Sequence, residues 1–205
     1  MPTWSRGRRT PALPPGTPEA VPLPTLEGAQ VRLRPPAPAD YDRIFAWYND
    51  PEVIAPFDRF SVDTFDAFRR EIESASDDPA SLAPRFVIEL REDGRVVGLV
   101  GYYLSHPVLT LTDVWYVLGD TSVRGRGLGR EAVGLLVDFL FHDEPLERVG
   151  ATTDVDNTAS FRLLEGLGFH REGTIRAGLF HHGRWHDVAV YGVTRPEWTA
   201  RPRSD

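Results

Sequence analysis

Apolar and polar positions alternate along this chain with two periods, and the change from one to the other marks the elements. "QVRLRP", Gln30 to Pro35, has the two-residue period of a strand. "APADYDRIFAWYND" has the spacing of a helix, with Ile44, Phe45, Trp47 and Tyr48 as its apolar surface and Asp40 near its start. Pro51 discourages its continuation. "SVDTFDAFRREIESA" predicts a second helix, capped by Ser61 or Asp63, with Phe65, Phe68 and Ile72 on one face. "RFVIELREDGRVVGLVGYYL" is the clearest hairpin, two apolar runs turning at Asp93-Gly94. "LTDVWYVLGD" predicts a third central strand, followed by a glycine-rich turn and a helix to about His142. "RVGATTDV" predicts another strand, and "NTASFRLLEGLGF" a short helix stopped near Gly166 or Gly168, with Phe161, Leu164 and Leu167 toward the core. "HREGTIRAGLF" and "RWHDVAVYGVT" predict two last strands around a loop at His182-Gly183. Consecutive strands in mid-chain favour an α+β sheet over a doubly wound one.

Composition narrows this picture. The 205 residues suffice for one domain with a sizeable core. Residues 1–26 are proline-rich and lack periodicity, so a disordered or extended tail is expected there. A domain over 27–197 and a short C-terminal tail over 198–205 complete the expected layout. A net charge of −7 disfavours broad nucleic-acid binding and suits a cationic substrate. The chain has no cysteine, which excludes disulfides, thiolate nucleophiles and cysteine metal sites. No apolar run reaches membrane-spanning length, and the first arginines lead into no apolar signal region, so a cytoplasmic protein with no membrane contact is expected.

The candidate chemistry concentrates in "VRGRGLGREAVGLLVDFLF", Val123 to Phe141. Three glycines and three arginines fall between Arg124 and Arg130, where the helix must begin. A helix N-terminus presents unpaired N–H groups and partial positive charge, and glycines let a ligand reach them. The pattern predicts an anion site, with phosphate as the fitting anion. The segment lacks the Lys-Ser/Thr ending of a nucleotide P-loop, and Gly125-x-Gly127-x-Gly129 lacks dinucleotide-fingerprint spacing. A flexible turn with solvated arginines is the alternative.

Arg124-x-x-Gly127-x-Gly129, after a strand and before a helix, resembles the coenzyme A signature of the GNAT acyltransferase superfamily. Three further segments resemble its Rim-type branch, which contains ribosomal-protein N-terminal acetyltransferases: "VRLRPPAPADYDRIFAWYNDPEV", "NTASFRLLEGLGFHREGTIR" and "GRWHDVAVYGV". Together they cover about residues 27–195. The resemblance implies a GNAT fold, a mixed, mainly antiparallel sheet of six or seven strands flanked by helices. Two neighbouring strands, near Trp115 to Gly119 and Arg148 to Thr153, would splay apart to admit pantetheine. It implies acetyl-CoA as acyl-donor cosubstrate and an amine as acceptor. The turn Arg124, Gly125, Arg126, Gly127, Leu128 and Gly129 would hold the pyrophosphate. Backbone N–H groups near Val117, Leu118 and Gly119 would line the thioester, Asn157 would contact the cofactor, and Ser160 would lie near the sulfur as a catalytic residue. By spacing alone, Asn157 is equally an N-cap and Ser160 a first-turn serine. A homodimer is an option.

One position departs from the branch. The carboxylate implicated in deprotonating the amine lies seven residues beyond the glutamate of the Glu-Gly pair; counted from Glu172 this is Leu179, which is no base. Asp113 on the central strand is the first substitute and Glu52 the second, although either also reads as an ordinary surface or capping carboxylate. No serine has an evident base partner, so direct attack in a ternary complex is expected, by alignment and oxyanion stabilisation. Neutralising a lysine-like amine of pKa about 10.4 at pH 7 costs about 4–5 kcal/mol, and a peptide α-amine near 8 about 1–1.5 kcal/mol. Without an obvious base, a peptide or protein α-amine is the easier acceptor, with small-molecule amines remaining open. Leu179 keeps open a non-catalytic acyl-CoA-binding regulatory module, and an unknown pocket volume keeps open another donor such as succinyl-CoA. His181, His182 and His186 with Asp187 carry metal-ligand chemistry, but with no cysteine and a turn between them they read as a polar loop, and no metal is expected. Trp47 and Phe57 are candidates for a substrate mouth.

Overall fold

The β-branched and aromatic runs of the central strands become strands because their apolar side chains find helices to pack on. In the computed structural model the described residues are 23–54, 64–74, 85–106 and 111–201. Phe57, Ser61, Asp63 and all but the end of the N-terminal segment lie outside them. Eight strands form one sheet: β1 Leu26–Glu27, β2 Val31–Arg34, β3 Phe86–Leu90, β4 Val96–His106, β5 Leu111–Leu118, β6 Arg148–Asp154, β7 His170–His181 and β8 Arg184–Thr194. Their order is β1-β2-β3-β4-β5-β6-β8-β7. Every neighbouring pair is antiparallel except β5 and β6, which run parallel.

Strand alternation sorts the core into two layers. Val31, Leu33, Phe86, Ile88, Val114 and Val149 point to one face, where α4 Leu128–Asp143 and α5 Thr158–Gly166 cover them. Val87 and Leu99 point to the other face, where α1 Tyr41–Tyr48 and α3 Phe65–Ser74 bring Ile44, Tyr48 and Phe68 against them. The four-residue helix α2, Pro51–Ile54, follows α1. Phe65, Phe68 and Ile72 share the buried face of α3 as their spacing predicts. The hydroxyl that meets the first turn of α3 is that of Thr64, accepting from Ala67 N at 3.2 Å.

Two hairpins follow their turn chemistry. Gly94 has φ +73° between β3 and β4, and His182 and Gly183 have φ +50° and +75° between β7 and β8, the mirror-image turn that suits strand twist. Helix α5 ends in a Schellman motif: Gly168, at φ +88°, donates to Glu165 O, and Phe169 N donates to Leu164 O. Asp40 stands at the start of α1 but does not cap it. Its carboxylate accepts from Arg34 Nη1 at 2.7 Å and from Ala37 N at 2.7 Å, closing the preceding short 3-10 turn.

The expected boundaries move at both ends. The sheet has eight strands rather than six or seven, because Leu26–Glu27 adds an edge strand too short to show periodicity. It begins one residue inside the expected tail, and Leu23 packs on the core as well. At the C-terminal end, α6 Arg195–Ala200 runs through the expected boundary at 197. Its Thr194/Glu197 capping box starts the helix, and Trp198 is buried against Phe141 and Phe169.

Candidate functional site

The cleft begins where β5 and β6 part. They pair only at Thr112↔Val149 and Asp113↔Gly150. Beyond these positions β5 stays with β4 as far as Leu118, and β6 stays with β8 as far as Asp154. This opens a V in the sheet between the two segments whose parting the family resemblance implies. Each arm of the V then feeds a helix N-terminus, α4 from β5 and α5 from β6.

The turn into α4 is built for exposed backbone. Gly125 and Gly127 have φ of +81° and +82°, with nothing within 4 Å of where a Cβ would stand. Glycine is required here by conformation and not by crowding. Gly127 is the N-cap and offers no side chain to the first-turn N–H groups of α4. Leu128 is buried, and a Cβ on Gly129 would stand 3.3 Å from Leu163 Cδ1, so the start of the helix is held close to α5. Arg126 reaches Glu92 at 3.1 Å, while Arg124 makes only a 3.4 Å contact with Leu118 O. Asp120 ties the approach to the turn, accepting from Ser122 N, Ser122 Oγ and Arg95 Nη1. The Ser122 hydroxyl, with the Ser122 N–H and the Arg95 and Arg43 guanidiniums, holds its carboxyl below the ordinary value against the opposing effect of burial. Gly119 lies under Trp47, and a Cβ there would come within 2.1 Å of the indole. Trp47 is therefore packed on the backbone of the V as well as partly exposed at its rim.

Helix α5 supplies the second wall. Asn157 Oδ1 accepts from Ser160 N at 3.1 Å, so the N-cap role is real. Its Nδ2 amide makes no hydrogen bond among the described residues. Ser160 faces Tyr116 of β5, whose hydroxyl is fully buried and makes no hydrogen bond of ordinary length among the described residues. Burial pushes the Tyr116 hydroxyl up to about 12, an effect that the nearby Ser160 opposes. Behind them Tyr191 donates to Glu165 Oε1 at 3.0 Å.

Asp113 and Ser160 do not meet. Along β5, Val114, Tyr116 and Leu118 join the α4/α5 layer, whereas Trp115 and Val117 join the α1/α3 layer. Asp113 shares the second parity, at the throat of the V. Gly150 makes room for it: a Cβ there would lie 2.0 Å from Asp113 Oδ1. Arg148 Nη1 stands 4.0 Å from that oxygen and its Nη2 pairs with Glu172 at 2.6 Å. Glu52 is exposed on α2. Leu179 lies in β7 opposite His186.

The histidines of the last hairpin come together with a partner that spacing does not reveal. His181 and His186 converge on Asp154 at the end of β6, all three buried. Asp187 points elsewhere and accepts from Ala177 N at 2.9 Å.

The sheet thus has one parallel strand pair, and it parts onto a glycine-lined helix N-terminus. Residues 30–170 match the acetyltransferase (GNAT) domain, and the chain belongs to that family of N-acetyltransferases. An uncharacterized N-acetyltransferase p20 of Bacillus licheniformis is 31% identical over 180 residues, covering 85% of this chain and 98% of the relative. The ribosomal protein uS5-alanine N-acetyltransferase of Escherichia coli is 32% identical over 76 residues, 37% of this chain and 39% of that enzyme. Coverage varies among relatives; this chain spans 62% of the length of one from Bacillus subtilis. Spermidine N-acetyltransferase from Vibrio cholerae, solved with CoA and spermine, has the same fold at TM-score 0.73 and 20% identity, over 83% of this chain and 98% of that one. Among the described residues no helix is long and apolar enough to cross a membrane.

Proposed function

We propose that this acyltransferase moves the acetyl group of acetyl-CoA to a peptide or protein α-amine by direct attack in a ternary complex. The observation that carries the proposal is the V between β5 and β6, closed at Asp113↔Gly150 and ending in the uncapped N-terminus of α4. Acetyl-CoA supplies an activated thioester. The Arg124–Gly129 turn fits its pyrophosphate, because Gly125 and Gly127 open the backbone and the first-turn N–H groups meet no capping side chain. The Asn157 amide adds a donor from the other arm. The unpaired edge of β5 near Val117, Leu118 and Gly119 suits the amides of an extended ligand and donates to a developing oxyanion.

Two faces of β5 divide the proton work. On the α5 side, the Ser160 hydroxyl donates to the departing sulfur, with Tyr116 behind it. On the opposite face Asp113 takes the proton of the attacking amine. A carboxylate beside an arginine is a modest base, and this suits an α-amine of pKa near 8 better than a lysine-like amine near 10.4. The partial relationship to the uS5-alanine enzyme supports the same acceptor class. Acetyl-CoA also places the reaction in the cytoplasm, where this thioester is available.

Free-thiol release measured with acetyl-CoA and succinyl-CoA against peptides, polyamines and aminoglycosides tests the reading. Fastest turnover is expected for acetyl-CoA with a free peptide N-terminus. Faster turnover of spermidine overturns the acceptor assignment. Tight CoA binding with no thiol release from any pair makes the protein a regulatory module.

A further inference from the structure

We propose that Asp154, His181 and His186 bind one divalent transition-metal ion, zinc by the donor set, which pins the turn between β6 and α5 to the β7–β8 hairpin. The site lies outside the acyl-transfer cleft described above and does not depend on that reading.

The three residues come from three neighbouring strands, and their side chains are 5%, 10% and 4% exposed respectively. Their ligand atoms all lie within 4.8 Å of one another. His181 Nε2 contacts Asp154 Oδ2, and His186 Nδ1 lies 2.9 Å from the same oxygen. The two imidazoles stack with centroids 3.6 Å apart at 20°. Neither nitrogen of His186 makes a hydrogen bond of proper geometry among the described residues, although the ring is buried. A buried polar atom without a partner is costly, and a neutral Nδ1 lone pair set against a carboxylate oxygen is repulsive. A cation at the convergence point turns that repulsion into coordination. It satisfies Nδ1 of His186 and leaves only its Nε2 to be paired otherwise.

His181 is already oriented for the role. Its Nδ1 lies 2.7 Å from His182 Nδ1, a contact that holds Nε2 toward Asp154. A hydrogen bond on the far nitrogen is the usual device that fixes a ligating histidine. Two imidazoles and one carboxylate suit zinc, with bonds of ~2.0–2.2 Å, better than the all-oxygen preference of magnesium or calcium. Donors around tetrahedral zinc stand about 3.3 Å apart, given bonds of ~2.0 Å. On binding, His186 Nδ1 and Asp154 Oδ2, 2.9 Å apart, therefore separate by a few tenths of an ångström, and His181 Nε2, which sits closer to that oxygen, moves away by more. Asp156 Oδ2, 3.6 Å from His186 Nδ1 and 3.1 Å from Arg184, is the nearest fourth ligand.

The position gives the ion a structural role. Asp154 Oδ1 accepts from Asp156 N at 2.7 Å, and Asp154 O accepts from Asn157 N at 3.0 Å. Fixing Asp154 thus fixes the turn that sets Asn157 at the head of α5.

The test uses the tag-free full-length chain, stripped with a chelator and titrated with zinc sulfate by calorimetry, with zinc counted by mass spectrometry after desalting. One zinc per chain, a higher melting temperature with zinc and the strong visible absorption of four-coordinate cobalt on Co²⁺ substitution are expected. His186→Gln should abolish all three, and His142→Gln, at a distant histidine, should keep them. If His186→Gln fails to fold, His181→Gln gives the same reading. A folded wild-type chain that takes up neither zinc nor cobalt, or a folded His186→Gln or His181→Gln chain that still binds one zinc, overturns the site.

Discussion

Ser160 and Tyr116 show how a small side chain acquires a role from its neighbour. A serine in the first turn of a helix is ordinary, but this one faces a buried phenol that holds its proton to about pH 12. In the proposed mechanism the pair is a donor array on the side of the V from which sulfur leaves. Thiolate is a fair leaving group, with a reference thiol pKa near 8.5, so the help is modest. Ser160→Ala is expected to lower kcat by about 10- to 100-fold, at or below the low end of general-acid effects, with CoA affinity nearly unchanged. Single-turnover kinetics with calorimetry checks this, and full kcat with chemistry rate-limiting removes Ser160 from the mechanism. Asn157 was legible from spacing as a cap, and the cofactor contact that the family resemblance implies is compatible with it because the cap uses only Oδ1. The opposite faces of Asp113 and Tyr116 were legible too, since their separation of three in a strand puts them on different sides. Asp154 was not. It lies 27 residues before His181, and only the antiparallel register of β6 with β8 brings it to His186.

Elements carry the chemistry that residues alone cannot. The proposed cradle rests on two glycines in the left-handed region, which turn the chain so that α4 begins without a capping side chain. Gly127→Ala keeps the space open but places a side chain at φ +82°, which costs about 1–2 kcal/mol. Its effect on CoA binding is therefore mixed with a loss of stability. Arg124→Ala separates the two: it should weaken CoA binding several-fold and leave the melting temperature unchanged, because among the described residues Arg124 makes only a long contact. Calorimetry and a thermal scan on both variants check the pair.

The β2–β3 edge depends on charge. Glu89 is buried and takes both Arg32 and Arg34, and Arg34 also binds Asp40. Burial pushes the Asp40 carboxyl up, but the Arg34 hydrogen bond, the Ala37 N–H and the Arg34 and Arg43 charges outweigh it and hold the group below its ordinary 3.8. The folded value is the lower one, so its stabilisation is complete above the unfolded pKa and disappears as pH falls through the folded value. Asp40→Asn should cost about 2 kcal/mol at pH 7, less than for a fully buried pair because Arg34 is partly exposed. The cost should shrink below pH 4, which urea unfolding at several pH values will show.

At the scale of the whole molecule, most of the order of strands and helices was readable because nearly every element has its own period and its own stop signal. The ends were not, because two residues of edge strand have no period and a lone tryptophan in a proline-bearing stretch does not announce a helix. These ends differ in what they hold. A chain beginning at Leu23 keeps β1 and its contacts, and is expected to retain its thermal transition and its turnover. Removing residues 198–205 deletes Trp198, which is 5% exposed, packs between Phe141 of α4 and Phe169, and donates from Nε1 to Asp138 at 2.7 Å. Loss of a buried tryptophan costs about 3–5 kcal/mol, so urea unfolding should shift strongly. The lost contacts lie at the C-terminal end of α4, whereas the cradle is at its N-terminal end, about 20 Å away along a helix of 16 residues. The truncated chain that remains folded at low temperature should therefore bind CoA with unchanged affinity. A matched fall in affinity would mean that Trp198 positions the whole of α4 and with it the cradle.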